Sequence, residues 1–151
     1  MAQTDSWQAV SGSRATARRV YTVGIRLLLA SIVIQFFLAG LGVFDSSSFF
    51  WWHVNVNGVV IGLLPLVLVA VGWFGRVPRN TLWLTAAVFG LVALQSLLLI
   101  PYRTGAPGWL RAVSGLHVVN ALFIFWVGLR LLEKSSGLGV RSAEQQAGQR
   151  R

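Results

Sequence analysis

The sequence predicts an all-α integral membrane protein, an antiparallel four-helix bundle running up-down-up-down with both termini cytoplasmic. Three observations lead there. Apolar residues make up 55% of the 151-residue chain and charged residues 11%, where a soluble domain carries roughly 25% charged. The charges also fall between four long uncharged runs, at positions 27–44, 46–75, 80–102 and 112–129. About 20 apolar residues cross the hydrocarbon core as a helix. Finally, eleven basic residues border one side of these runs and two, Arg103 and Arg111, the other. The larger group marks the cytoplasmic side.

Residues 1–20 form a basic, polar segment expected to be flexible, and the first span follows at Tyr21–Phe44. This span is too long for the apolar core of a cleaved signal peptide. Asp45-Ser-Ser-Ser48 makes an outer turn with four candidate N-caps for the second span, Phe49–Gly75. Pro65 should kink that span, as bundles tolerate. Gly75 to Asn80 turns the chain on the inner side, with Asn80 or Thr81 capping the third span, Thr81–Tyr102. Pro101 to Gly108, with two prolines and two glycines, closes the outer side. The fourth span is Gly108–Leu132, and residues 133–151 read as a flexible basic tail. Short connections make sequential helices antiparallel neighbours within one domain, 21–132. Trp51, Trp52, Trp73, Trp83 and Trp109 cluster at span ends as an interfacial belt. The lipid bilayer is the expected environment, in a prokaryotic cytoplasmic membrane.

Several functions are excluded or disfavoured. The chain has no cysteine, which removes disulfides, thiolate metal sites and covalent c-type haem. The net charge of +9 arises from residues bordering spans and forms no compact patch, so nucleic acid is not an expected partner. There is no intramembrane acid pair, HExxH, phosphate loop or Ser-His-Asp set. Acid–base catalysis has no carboxylate to work with, and the sequence leans away from an enzyme.

The informative residues are the polar ones inside the spans, because each needs a partner or a cavity. Both histidines of the chain lie there, on the outer halves of the second and fourth spans. These spans run in the same direction and sit diagonally in a simple bundle, so His53 and His117 look across its axis. Two facing imidazoles are the axial ligand set of one six-coordinate haem b. Asn57 and Asn120 lie near them on the same helices, and Gln35 and Gln95 on the other two. Their amides could hold the imidazole Nδ1 protons or bond across helices as packing contacts. Ser114, His117, Ala121 and Gly128 form one stripe with room for a macrocycle, and Gly58 with Gly62 a second small-residue surface. Arg103 and Arg111 would either pair with the propionates or snorkel as ordinary interfacial arginines. The halves repeat faintly, Gln35 preceding His53 by a similar interval to that between Gln95 and His117. Measured from the basic residues at the inner surface, the histidines differ in depth by roughly 15 Å, or roughly 9 Å if Lys134 marks that surface.

Histidines at the outer ends of the second and fourth spans, His53 and His117, resemble those of one four-helix half of the haem A synthases. The resemblance spans Tyr21 to Leu132 and implies a pair of haem b ligands at these two positions. The family's Glu-x-x-His-Arg motif has Phe50 and Val54 at its Glu and Arg positions here, so it implies haem binding without synthase chemistry. Gln35-Phe-Phe-Leu-Ala-Gly-Leu-Gly42 and His117-Val-Val-Asn-Ala121 also resemble segments of small uncharacterised prokaryotic four-span proteins. The leading expectation is a membrane b-type haem protein for electron transfer or haem handling, with a quinone or another redox partner. The alternative is a haem-free accessory subunit of a larger membrane complex.

Overall fold

The computed structural model describes residues 2–148, with side chains described over 12–137. It is built of helices: α1 (Ala2–Phe44), α2 (Phe49–Asn55), a π-helical stretch (Val56–Ile61), α3 (Gly62–Phe74), α4 (Arg79–Leu97), α5 (Ile100–Arg103), α6 (Gly108–Ala112), a 3-10 turn (Val113–Gly115) and α7 (Leu116–Gly148). Four stretches are long and apolar enough to span a membrane: Gly12–Phe44, Phe49–Phe74, Arg79–Arg103 and Gly108–Gly137. Each span packs on the next and α1 packs on α7, closing a square with the second and fourth spans on one diagonal. This is the expected all-α four-helix bundle.

One seam runs down the inside of each helix. Tyr21, Ile25, Leu28, Ile32 and Gln35 are buried on α1, Thr81, Thr85, Val88, Val92 and Gln95 on α4, and Asn120, Ile124, Val127, Leu131 and Ser135 on α7. The alternating three- and four-residue steps are those of left-handed helix packing. Each seam is apolar in its middle and polar at one or both ends. At the inner end the Tyr21 hydroxyl meets Thr85 Oγ1 at 2.6 Å. At the outer end the buried amides gather around the two histidines.

Both terminal helices run past the limits that charge counting sets. Residues 12–20 continue α1 and 133–137 continue α7, where the sequence predicts flexible segments. Ala17 and Ser135 are buried, Arg18 Nε donates to the Gly75 carbonyl at 2.7 Å and Thr22 Oγ1 to that of Ser135 at 3.4 Å. A charge marks where lipid ends; it does not stop a helix whose seam still has a partner. The side chains of 1–11 and 138–151, the remainder of those expected flexible segments, lie outside the described residues.

The turn between α3 and α4 also departs from expectation. The N-cap position of α4 is Pro78, not Asn80 or Thr81, because proline cannot continue a helix backward but leads readily into one. α3 ends in a paired-bond C-cap, with Arg76 N–H donating to Trp73 O and Val77 N–H to Gly72 O, each at 2.9 Å. Its left-handed residue is Arg76, at φ 53°. Gly75, just before, serves close packing instead: a Cβ there would lie 3.3 Å from Arg18.

Candidate functional site: a paired-histidine cleft

A cleft of about 160 Å³ opens in the half of the bundle that holds the α1–α2 turn, away from the chain termini. It lies among the first, second and fourth spans, with Gln95 as the contribution of the third. His53 from α2 and His117 from α7 face each other across it, ring centroids 6.4 Å apart and planes inclined at 51°. The depth offset inferred from basic residues is therefore absent. The fourth span continues inward well beyond Arg130, so that arginine marks a shallower level than Arg76 does.

The two imidazoles are held in the same way. His53 Nδ1 lies 3.1 Å from the Gln35 carbonyl oxygen, and His117 Nδ1 3.0 Å from that of Gln95. A carbonyl only accepts, so each Nδ1 carries the proton and each Nε2 keeps its lone pair. Among the described residues no protein donor reaches either Nε2. These anchors are main-chain oxygens, where the sequence pointed to side-chain amides. The Gln95 carbonyl is free because α4 ends at Leu97 and the Leu99 amide bonds Ser96 instead, at 3.3 Å. Pro101, lacking an N–H, prevents the helix from running on unbroken. Gln35 sits mid-helix and offers the second lone pair of its carbonyl.

The amides do other work. Gln35 Nε2 donates to the His53 carbonyl at 2.8 Å, so the two residues clamp each other through both main chain and side chain. Asn120 Nδ2 donates to Gln95 Oε1 at 2.5 Å and to the Leu91 carbonyl at 2.9 Å. Gln35 Oε1, in contrast, is buried with no partner among the described residues. Asn57 lines the cleft, and its side-chain amide has no protein hydrogen bond among them. The pseudo-repeat is thus closed by an amide in the second hairpin and left open in the first.

The small-residue surfaces are rearranged. Ala39 and Ala121 line the cleft, whereas Gly128 packs on Leu29 and Ile32 of α1 and leaves no room there. Gly58 is exposed and Gly62 buried, because the intervening π turn rotates one relative to the other. That wide turn precedes Pro65, which cannot donate to the Ile61 carbonyl and crowds it. Arg103 on α5 and Arg111 on α6 are exposed and do not line the cleft. Nothing in the sequence flags Ile32, Phe36 and Ile61, which complete its walls.

The ligand geometry can be tested against a metal. With metal–nitrogen distances of about 2 Å, two imidazoles trans across one ion set their centroids roughly 6 Å apart, and two at a tetrahedral angle roughly 5 Å. The observed 6.4 Å lies at the trans end. Among the described residues no group of three or more His, Cys, Asp or Glu gathers anywhere. A metal here would need its remaining ligands from a cofactor, as an iron porphyrin supplies. The space is tight, since small-molecule pockets start at roughly 300 Å³. Phe36 and Val118, which line the cleft, are 39% and 62% exposed, so it opens onto the lipid-facing surface. A disc between the rings would project through that opening and displace these side chains.

Residues 35–105 match DUF6220, a family of unknown function. The matched segment holds Gln35, His53, Asn57 and Gln95 and stops before His117. It covers less than half of the chain. No curated protein and no solved structure matches the chain.

Proposed function

We propose that this protein holds one haem b between His53 and His117 and serves electron transfer or haem handling in the cytoplasmic membrane, with a quinone or a membrane-bound redox protein as partner. One observation carries the reading. Both Nδ1 atoms lie against backbone carbonyls, which leaves two Nε2 lone pairs, on rings whose centroids are 6.4 Å apart, that could hold a haem iron. Such carbonyl anchoring fixes the tautomer and raises ligand basicity. Bound there, haem supplies one-electron chemistry. The chain's own contribution is orientation: the Gln35 and Gln95 carbonyls hold the rings, and Asn120 fixes Gln95.

The limited volume of the cleft favours a second reading, a haem-free accessory subunit of a larger membrane complex. Colour separates the two. The full chain, purified after haem-supplemented expression, is expected to carry one haem per chain with a low-spin spectrum and a sharp b-type α-band on reduction. A colourless, folded protein would leave the accessory reading in place.

A further inference from the structure

A second, larger cavity lies at the opposite end of the bundle. It is a groove of about 600 Å³ between the inner ends of the second and third spans, walled by Val69, Trp73, Leu82, Trp83 and Ala86 and closed at its inner end by Arg79. Trp73 and Trp83 are 74% and 75% exposed, standing out from the bundle as two flanges with Ala86 as the low floor. The volume is within the range of small-ligand pockets, and the walls are apolar.

The inner end is electrostatically one-sided. Arg79 and Arg76 are both exposed. The turn that carries them, residues 75–80, contains no acid. Among the described residues the one ion pair is Arg130 with Glu133 on α7, and neither arginine has a counter-ion among them. Arg76 also occupies a left-handed position that glycine fills more cheaply.

An apolar groove in the membrane with unpaired guanidinium groups at its interfacial end matches one class of molecule. We infer that the groove binds an anionic phospholipid of the inner leaflet, one acyl chain lying between Trp73 and Trp83 and the headgroup phosphate on Arg79, with Arg76 adding to the local potential. Arginine suits a phosphate through its bidentate fork. The aromatic flanges suit the boundary between chains and headgroups. The inference is independent of haem.

The test uses the full chain in detergent with phosphatidylglycerol and phosphatidylcholine of identical chains, read by native mass spectrometry. Retention of phosphatidylglycerol is expected to exceed that of phosphatidylcholine by about fivefold, the effect of roughly one basic residue near a membrane surface. Arg79→Gln should abolish the preference and Arg79→Lys should restore part of it. Ala86→Trp, filling the floor, should reduce retention of both lipids. Arg26→Gln, a basic residue on the same side but outside the groove, should change nothing. In nanodiscs, chain-brominated phosphatidylglycerol should quench Trp73 and Trp83 more than brominated phosphatidylcholine does. Equal retention of the two lipids, or a preference that survives Arg79→Gln, would overturn the assignment.

Discussion

At the scale of single residues, the cleft separates side chains that hold the site from side chains that wait for something. His53 and His117 each have one nitrogen committed and one open. If both ligate one iron, His53→Ala and His117→Ala should each give a high-spin or haem-depleted protein, and the double variant should be no worse than either single one, because losing one ligand already ends six-coordination. Optical and EPR spectra of the three variants check this. A full low-spin spectrum in either single variant removes that histidine from the ligand set. The two buried glutamines should differ in a haem-independent way. Asn120→Leu strands Gln95 Oε1 and removes the second donor to the Leu91 carbonyl, which keeps its helical bond, costing on the order of 1–2 kcal/mol at membrane hydrogen-bond strengths. Gln35→Met gives up one bond but also removes an orphaned acceptor, and should cost about half as much or less. Thermal unfolding in detergent compares them.

At the scale of elements, glycines decide which helices approach closely. A Cβ on Gly72 would lie 2.6 Å from the Leu82 side chain and 2.9 Å from the Tyr21 ring, so Gly72→Val must displace both side chains from their buried packing, costing about 1–3 kcal/mol. Gly90 has nothing within 4 Å of such an atom, and Gly90→Ala should be neutral or stabilising by up to about 1 kcal/mol. Melting temperatures that move equally in both variants would contradict this packing. The seams that these glycines serve are hard to read in the sequence. Lipid is as apolar as a leucine core, so the outward face of each helix carries Val, Leu and Phe as densely as the inward one, and amphipathic periodicity vanishes. What betrays the seam is its polar ends. Gln35, Gln95 and Asn120 are legible as residues needing partners, and the two histidines are legible because the chain has no others. Which atoms meet is not legible: the carbonyls that anchor Nδ1 belong to the backbone and leave no mark in side-chain identity. The π turn before Pro65, which separates the faces of Gly58 and Gly62, is likewise hidden in a simple helical count.

At the scale of the whole molecule, charge placement gives the number of spans correctly and their depths poorly. Four uncharged runs correspond to four spans, yet Arg130 and Arg76 do not mark one plane, since α7 continues past Arg130 to a Ser135 buried against α1. A basic residue reports on topology more faithfully than on position. The even number of spans puts both ends of the chain on one side. Eleven basic residues flank that side and two, Arg103 and Arg111, the other, an asymmetry that orients multi-pass proteins with the richer side in the cytoplasm. A reporter fused after Arg151 is therefore expected to read cytoplasmic, and one inserted beside Thr104 external. The inverse pattern would carry the histidine cleft to the inner leaflet and the arginine-ended groove to the outer one, where it would face the wrong lipids. Adding basic residues to the Thr104 loop while neutralising Arg76 and Arg79 should weaken the orientation, yielding a mixed reporter signal if positive charge alone sets it.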